Sequence, residues 1–193
     1  MRIPSNHCPR ILGHYSLAYP TLVALNDEAR ALAQFPVLAS FESTIELSRF
    51  QFDEGMDPRV VQMLDDDGRP FSATLLRLLP GEYPGFVFRH FPRDWLDMRA
   101  LQLVIVNPDT VPLDLTLRID DVEYDYELDE HDRYNRSFSF LPGTNRIEIP
   151  LSDVEAAPRN RRFDLARVQR LLVYAVDLGQ PRDIIIGPIV LLP

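Results

Sequence analysis

Between Leu113 and Asp120 the chain reads LDLTLRID, four apolar residues taking turns with four polar ones. In an extended strand successive side chains point to opposite faces, so this period of two puts Leu113, Leu115, Leu117 and Ile119 on one face. Asp114, Thr116 and Arg118 take the other. A helix would scatter the same residues around its axis. The pattern recurs along the chain. In GFVFRHF, Phe86, Phe88 and His90 alternate with Val87, Arg89 and Phe91. Phe138 and Phe140 face inward, LPGTN turns the chain, and Ile147, Ile149 and Leu151 face inward again. Two-residue alternation in strand after strand demands paired sheets with the apolar faces enclosed between them.

The remaining segments agree. VLASFE reads as a short apolar strand, and TIELSRFQF as an alternating one with a bulge at Ser48–Arg49. RVVQML and RPFSATLLRLL flank Asp67-Gly68, the signature of a tight hairpin turn. ALQLVIVNP is almost continuously apolar, as expected of a strand covered on both faces. RLLVYAVDL and DIIIGPIVLL close the chain as buried strands. SDVEAAP and DLARV read as single helical turns capped by Ser152 and Asp164. About ten strands at this spacing predict an all-β fold, a two-sheet antiparallel sandwich. Seventeen prolines against eight glycines fit that class, because proline gathers at sheet edges and turns.

One segment departs from the β pattern. TLVALNDEARALAQFP has Leu22, Leu25, Ala29, Leu32 and Ala33 at helical spacing, with Pro20 before it and Pro36 ending it. The organisation expected is an irregular leader plus helix over 1–36 and a β-sandwich domain over 37–193.

At 193 residues the chain can bury a core without a disulfide or metal staple, and one cysteine permits no internal disulfide. A net charge of −9 disfavours nucleic acid and anionic membranes. No apolar run is long enough to span a bilayer. The first twenty residues lack a signal-peptide core, so the expected location is cytoplasmic, or extracytoplasmic if the chain belongs to a larger exported protein.

Candidate chemistry is sparse. No nucleophile elbow, phosphate loop or HExxH motif occurs. Eight carboxylates crowd Asp120–Asp132 without a Lys or Arg. Hard cations want such oxygens, which makes calcium one reading and a solvated strand exit the other. Asp65–Gly68 reads as a turn, since an EF-hand register would place Met63 and Thr74 at ligand positions. His7, Cys8 and His14 form at most a weak zinc set. The aromatics suggest more. Trp95 lies in a loop, Tyr83 in a turn, and Tyr124, Tyr126 and Tyr134 surround the acidic segment. His131, Arg133 and Asn135 lead into the Phe138 strand. Aromatic faces with polar tips suit a small-ligand site, so His131, Arg133, Asn135, Tyr124, Tyr126, Tyr134 and Trp95 are the candidate ligand-binding residues. The plainer alternative has Trp95 plugging the sandwich and Arg133 and Arg136 neutralising the acidic run.

Tyr83–Trp95, Leu101–Asp121, His131–Leu165 and the closing strands together resemble a known domain type. The order R-[FY]-N-R, a PG-x-N turn, I-P-L, then A-P-x-x-R-x-x-D-L is similar to that of galactose-binding-like jelly rolls. These carbohydrate-binding-module-like domains occur in bacterial glycan-active enzymes and fused to VanZ-like proteins. The resemblance covers residues 37–193. It implies a non-catalytic accessory module that recognises a glycan. It also implies a structural calcium near the first and last strands, with Glu42 the one matching ligand, whereas Gly187-Pro188 replaces the usual acidic pair. The alternative is a protein-interaction or structural sandwich of a cell-envelope assembly, with Leu22, Leu25 and Leu32 as its contact and an envelope protein as partner. A hydrolase is the third reading.

Overall fold

The longest strand, β11 (Arg182–Leu192), lies at the centre of the first sheet. The computed structural model describes residues 15–65, 67–124 and 131–193, with side chains from residue 25 onward. β11 pairs on one side with β4 (Pro70–Leu78), which pairs with β3 (Arg59–Leu64). On its other side lies β6 (Ala100–Asn107), then β9 (Gly143–Pro150), while β1 (Val37–Ala39) also pairs with β11. The second sheet runs β2 (Phe50–Phe52), β5 (Gly85–Phe88), β10 (Val168–Tyr174), β7 (Leu113–Asp121) and β8 (Tyr134–Phe140). All pairings are antiparallel. The two sheets form a β-sandwich consistent with a jelly roll.

The alternation read from the sequence is the alternation observed. Leu113, Leu115, Leu117 and Ile119 are buried between the sheets, with Phe138 and Ile147 packed at the margin of the same core. The Gly68 turn joins β3 and β4, and its φ of +75° is one that glycine adopts at least cost. Gly187 and Pro188 fall where the register of β11 against β6 shifts between Ile186 and Ile189. A bulge tolerates proline's missing donor, which explains this pair inside a central strand.

Three local expectations are corrected. Thr44–Arg49 is a 3-10 helix, not strand. Ser43 caps it by accepting from Ile45 N, and the buried Glu46 carboxylate accepts from Ser40 N, Ser40 Oγ and Phe41 N. These local bonds outcompete the strand that Ile45 and Leu47 imply. Second, Ser152 lies inside α2 (Leu151–Glu155), whose N-cap is Pro150, without a side-chain cap bond; Asp164 does cap its turn, accepting from Ala166 N.

Third, α1 (Tyr15–Gln34) begins before Pro20 and docks by a face other than the leucine stripe. Asp27 and Ala31 are buried, while Leu25 and Leu32 stand 56% and 63% exposed. The anchor is ionic. Arg49, 1% exposed, reaches both carboxylate oxygens of Asp27 at 2.8 Å. No helix among the described residues is long and apolar enough to cross a membrane.

Candidate functional site

Strand register assembles a polar band on the outer face of the second sheet. Arg118 of β7 lies beside Asn135 of β8 and Leu172 of β10, and Leu172 beside Val87 of β5. One row along, Thr116 lies between Ser137 and Tyr174. The rows are about 7 Å apart, two residues of strand rise. Hydrogen bonds tie the band together. The Tyr174 hydroxyl donates to Asn135 Oδ1 at 3.2 Å, and the Thr116 and Ser137 hydroxyls are 2.9 Å apart. Tyr83 meets the Tyr174 ring edge-on at 5.8 Å between centroids. Gly85 allows β5 to run this close to β10, because a Cβ there would come within 2.2 Å of the Val173 carbonyl oxygen.

At the other end of the band, arginines and carboxylates interlock. Asp120 accepts from Arg118 Nε and Nη2, both at 2.8 Å, and from Arg170 Nε across the strand pair. Tyr124 lies over this cluster, its ring centroid 4.8 Å from the Arg118 guanidinium and 5.8 Å from that of Arg170. Such contacts hold a ring and a cation in fixed register. The neighbouring Asp121 points to the opposite face. There Arg161 bridges it to Asp132, with bonds of 2.6 and 2.9 Å to Asp121 and 2.7 Å to Asp132 Oδ1. Burial works against the Arg161 charge, but the bonds to the two carboxylates outweigh it and raise its pKa.

The candidate residues separate into three groups. His131, Arg133 and Asn135 come together with Arg136 in a pocket of about 380 Å³ between β8 and α2. Asp153, Ala157 and Arg159 form its other wall. Arg133 links pocket to band, since its Nη1 donates to the Tyr124 hydroxyl at 2.9 Å. Tyr124 is therefore shared by both.

The aromatics fare differently. Trp95 is a correction: it is 0% exposed, packs on Phe91 and donates its indole N–H to the Pro92 carbonyl. No ring face is left for a ligand. Tyr134 is also turned inward, opposite Ile119, so its ring belongs to the core and only its margin meets the pocket. Tyr126 and the acidic residues 125–130 lie outside the described residues, as do His7, Cys8 and His14. Glu42 is exposed, and no group of three or more His, Cys, Asp or Glu side chains among the described residues is placed to hold a metal.

Part of the acidic run, residues 120–124 and 131–132, lies among the described residues. There Arg118 and Arg170 pair with Asp120, Arg161 with Asp121 and Asp132, and Arg167 with Glu123, while Arg133 and Arg136 form no pair with Asp120 or Asp121. Sequence reading missed Thr116, Arg118, Arg170 and Tyr174 as site residues. The signal available was their common outward phase on β7 and β10.

Solved structures give the fold its context. An exo-β-agarase matches 81% of this chain with a TM-score of 0.66 at 16% identity, over 24% of its own length. A second agarase matches the same share at 0.61 and 12%, over 26% of its length. The family 11 carbohydrate-binding module of Clostridium thermocellum, solved with a β-1,3-1,4-mixed-linked tetrasaccharide, matches at 0.57 and 14%, over 94% of its length. The chain has the jelly-roll fold of the carbohydrate-binding modules. It spans about a quarter of each agarase and nearly all of the module. No family model matches the sequence, and no curated protein does.

Proposed function

We propose that the chain is a carbohydrate-binding module whose saccharide lies across the outer face of the second sheet. One observation carries the reading. Tyr174, Asn135, Thr116, Ser137, Arg118 and Tyr124 form a continuous band of aromatic and hydrogen-bonding groups on that one face. A sugar ring offers an apolar face and a belt of hydroxyls, and this combination meets both. The fold supports the same reading, since a module of nearly equal extent was solved with a tetrasaccharide bound.

Binding without cleavage is part of the proposal. The described buried carboxylates are each engaged: Asp27 by Arg49, Glu46 by Ser40 and Phe41, Asp120 by Arg118 and Arg170, and Asp121 and Asp132 by Arg161. A glycosidase needs two carboxyl groups facing each other across a cleft.

Affinity electrophoresis against neutral galactan, mixed-linkage glucan and xylan tests the reading. Retention on at least one is expected, and Tyr174→Ala should weaken it about tenfold, the order lost with an aromatic contact area and its hydroxyl. Absence of retention on every glycan at millimolar site concentration refutes it. A second reading rests on a different surface. Leu25 and Leu32 border a cleft of about 630 Å³ between α1 and residues 89–93. An exposed apolar edge of this kind suits a protein partner. Light scattering showing an assembly that dissociates on Leu25→Ser plus Leu32→Ser would favour it.

A further inference from the structure

We infer that the pocket between β8 and α2 is an anion subsite, selecting glycans that carry a sulfate ester or a carboxylate. The inference rests on the carbohydrate-binding reading and names its ligand class. Among the described residues the pocket presents Arg133, Arg136 and Arg159 against one carboxylate, Asp153, with His131 beside them. Asp153 approaches Arg136 only at 4.0 Å. Such an excess of positive charge stands out on a chain with net charge −9.

The contrast with neighbouring arginines sharpens the point. Arg118 and Arg170 hold Asp120, Arg161 holds Asp121 and Asp132, and Arg167 holds Glu123 and Asp164. Arg133 and Arg159 have no carboxylate within ion-pair distance among the described residues. Arg133 is also held in place, with Nη1 on the Tyr124 hydroxyl, while its Nε–H is buried without a partner among the described residues. A buried donor left unmet is costly, and an oxyanion is the acceptor that suits a guanidinium best. The far wall is fixed as well, because Arg159 N donates to the His131 carbonyl at 3.0 Å. Asn135 borders the pocket and also accepts from Tyr174 on the outer face. A saccharide on the band would thus bring a charged substituent to the arginines.

Calorimetry on the full chain, at fixed ionic strength, should compare a neutral galactan oligosaccharide with its sulfated counterpart and with a galacturonan. At least one charged ligand should bind about tenfold or more tightly than the neutral one, the range of a charge-assisted bond. Arg159→Gln, which alters an exposed side chain outside the band, should collapse that gap and leave neutral binding unchanged. Arg133→Gln should collapse the gap as well, with some loss of neutral binding because it also releases the Tyr124 hydroxyl. Asp153→Asn should widen it. The two charged ligands separate sulfate from carboxylate selection. Equal affinity for neutral and charged ligands, or a gap that survives both arginine variants, overturns the inference and leaves the carbohydrate-binding reading standing. If no glycan binds, that reading falls, and inorganic sulfate decides the subsite alone. A shift of the Arg133 Nε–H NMR signal with millimolar sulfate, lost in Arg159→Gln, keeps it; no shift overturns it.

Discussion

Replacing Arg49 with methionine tests whether an ion pair, rather than the leucine stripe, fastens α1 to the sandwich. The guanidinium is 1% exposed. It meets both oxygens of Asp27 at 2.8 Å and donates to the Leu38 carbonyl at 3.1 Å. Methionine keeps the volume and removes every donor, so Asp27 would remain buried without its counter-charge. Breaking a buried pair by removing one partner costs about 3–5 kcal/mol. Glu46 adds little to the loss, because it keeps Ser40 and Phe41 as donors and lies 3.9 Å from Arg49. For a domain of this size, 1 kcal/mol moves Tm by about 2–4 °C, so the expected drop is about 6–20 °C.

The same principle supplies the control. Removing both charges, as Arg49→Met with Asp27→Leu, should recover most of the stability, since an apolar pair of similar volume is often neutral. The exposed pair Arg59–Asp57, with side chains 71% and 73% accessible, should contribute about 1 kcal/mol or less. Urea unfolding of the parent, Arg49→Met, Asp27→Leu and the double variant closes the double-mutant cycle. If Arg49→Met costs less than about 1 kcal/mol, or the double variant loses the sum of the two singles, the pair does not anchor α1.

Two further changes probe the sheets that carry the site. Gly85→Ala would force a Cβ to 2.2 Å from the Val173 carbonyl oxygen and 2.7 Å from Tyr174 Cα, so β5 and β10 must separate. A loss of about 3 kcal/mol or more is expected by urea unfolding, with glycan binding weakened because Tyr174 moves; a variant as stable as the parent sinks this account. Tyr134→Phe addresses a buried hydroxyl with no well-formed hydrogen bond among the described residues, the Arg136 side chain being the donor that acts on it. Burial raises its pKa, with Arg136 acting in the opposite direction. The unfolded chain ionises near pH 10, so the stability this phenol confers is complete below about pH 10 and is lost as pH rises beyond it. Urea midpoints should be nearly equal for parent and variant at pH 7, and the parent's should fall more steeply above pH 10; parallel curves contradict the assignment.

β7 shows why the architecture could be read from the chain and the site could not. Its inward residues obey a local rule, since Leu113, Leu115, Leu117 and Ile119 need only alternate to declare a buried face. Its outward residues obey no local rule. Thr116, Arg118 and Asp120 look like ordinary solvated positions, yet the Arg118 side chain is only 14% exposed and Asp120 is fully buried. Asp120 is held not only by Arg118 but by Arg170, fifty residues along the chain and brought alongside by strand pairing, and Thr116 by Ser137 of β8. Trp95 fails for the same reason in reverse. A tryptophan in a loop suggests exposure, but this loop closes over the sandwich end, fixed by Trp95 N to Leu165 O and Val168 N to Arg93 O. In α1 the period was legible and the docking face was not, because Arg49 selects Asp27 from fifteen residues beyond the helix end. In each case the missing information is a pairing between distant charges or carbonyls. His131, Arg133 and Asn135 were visible early because all three fall within five residues of sequence. That nearness also explains why they converge on one pocket, whereas the band beside it needed four strands to exist at all.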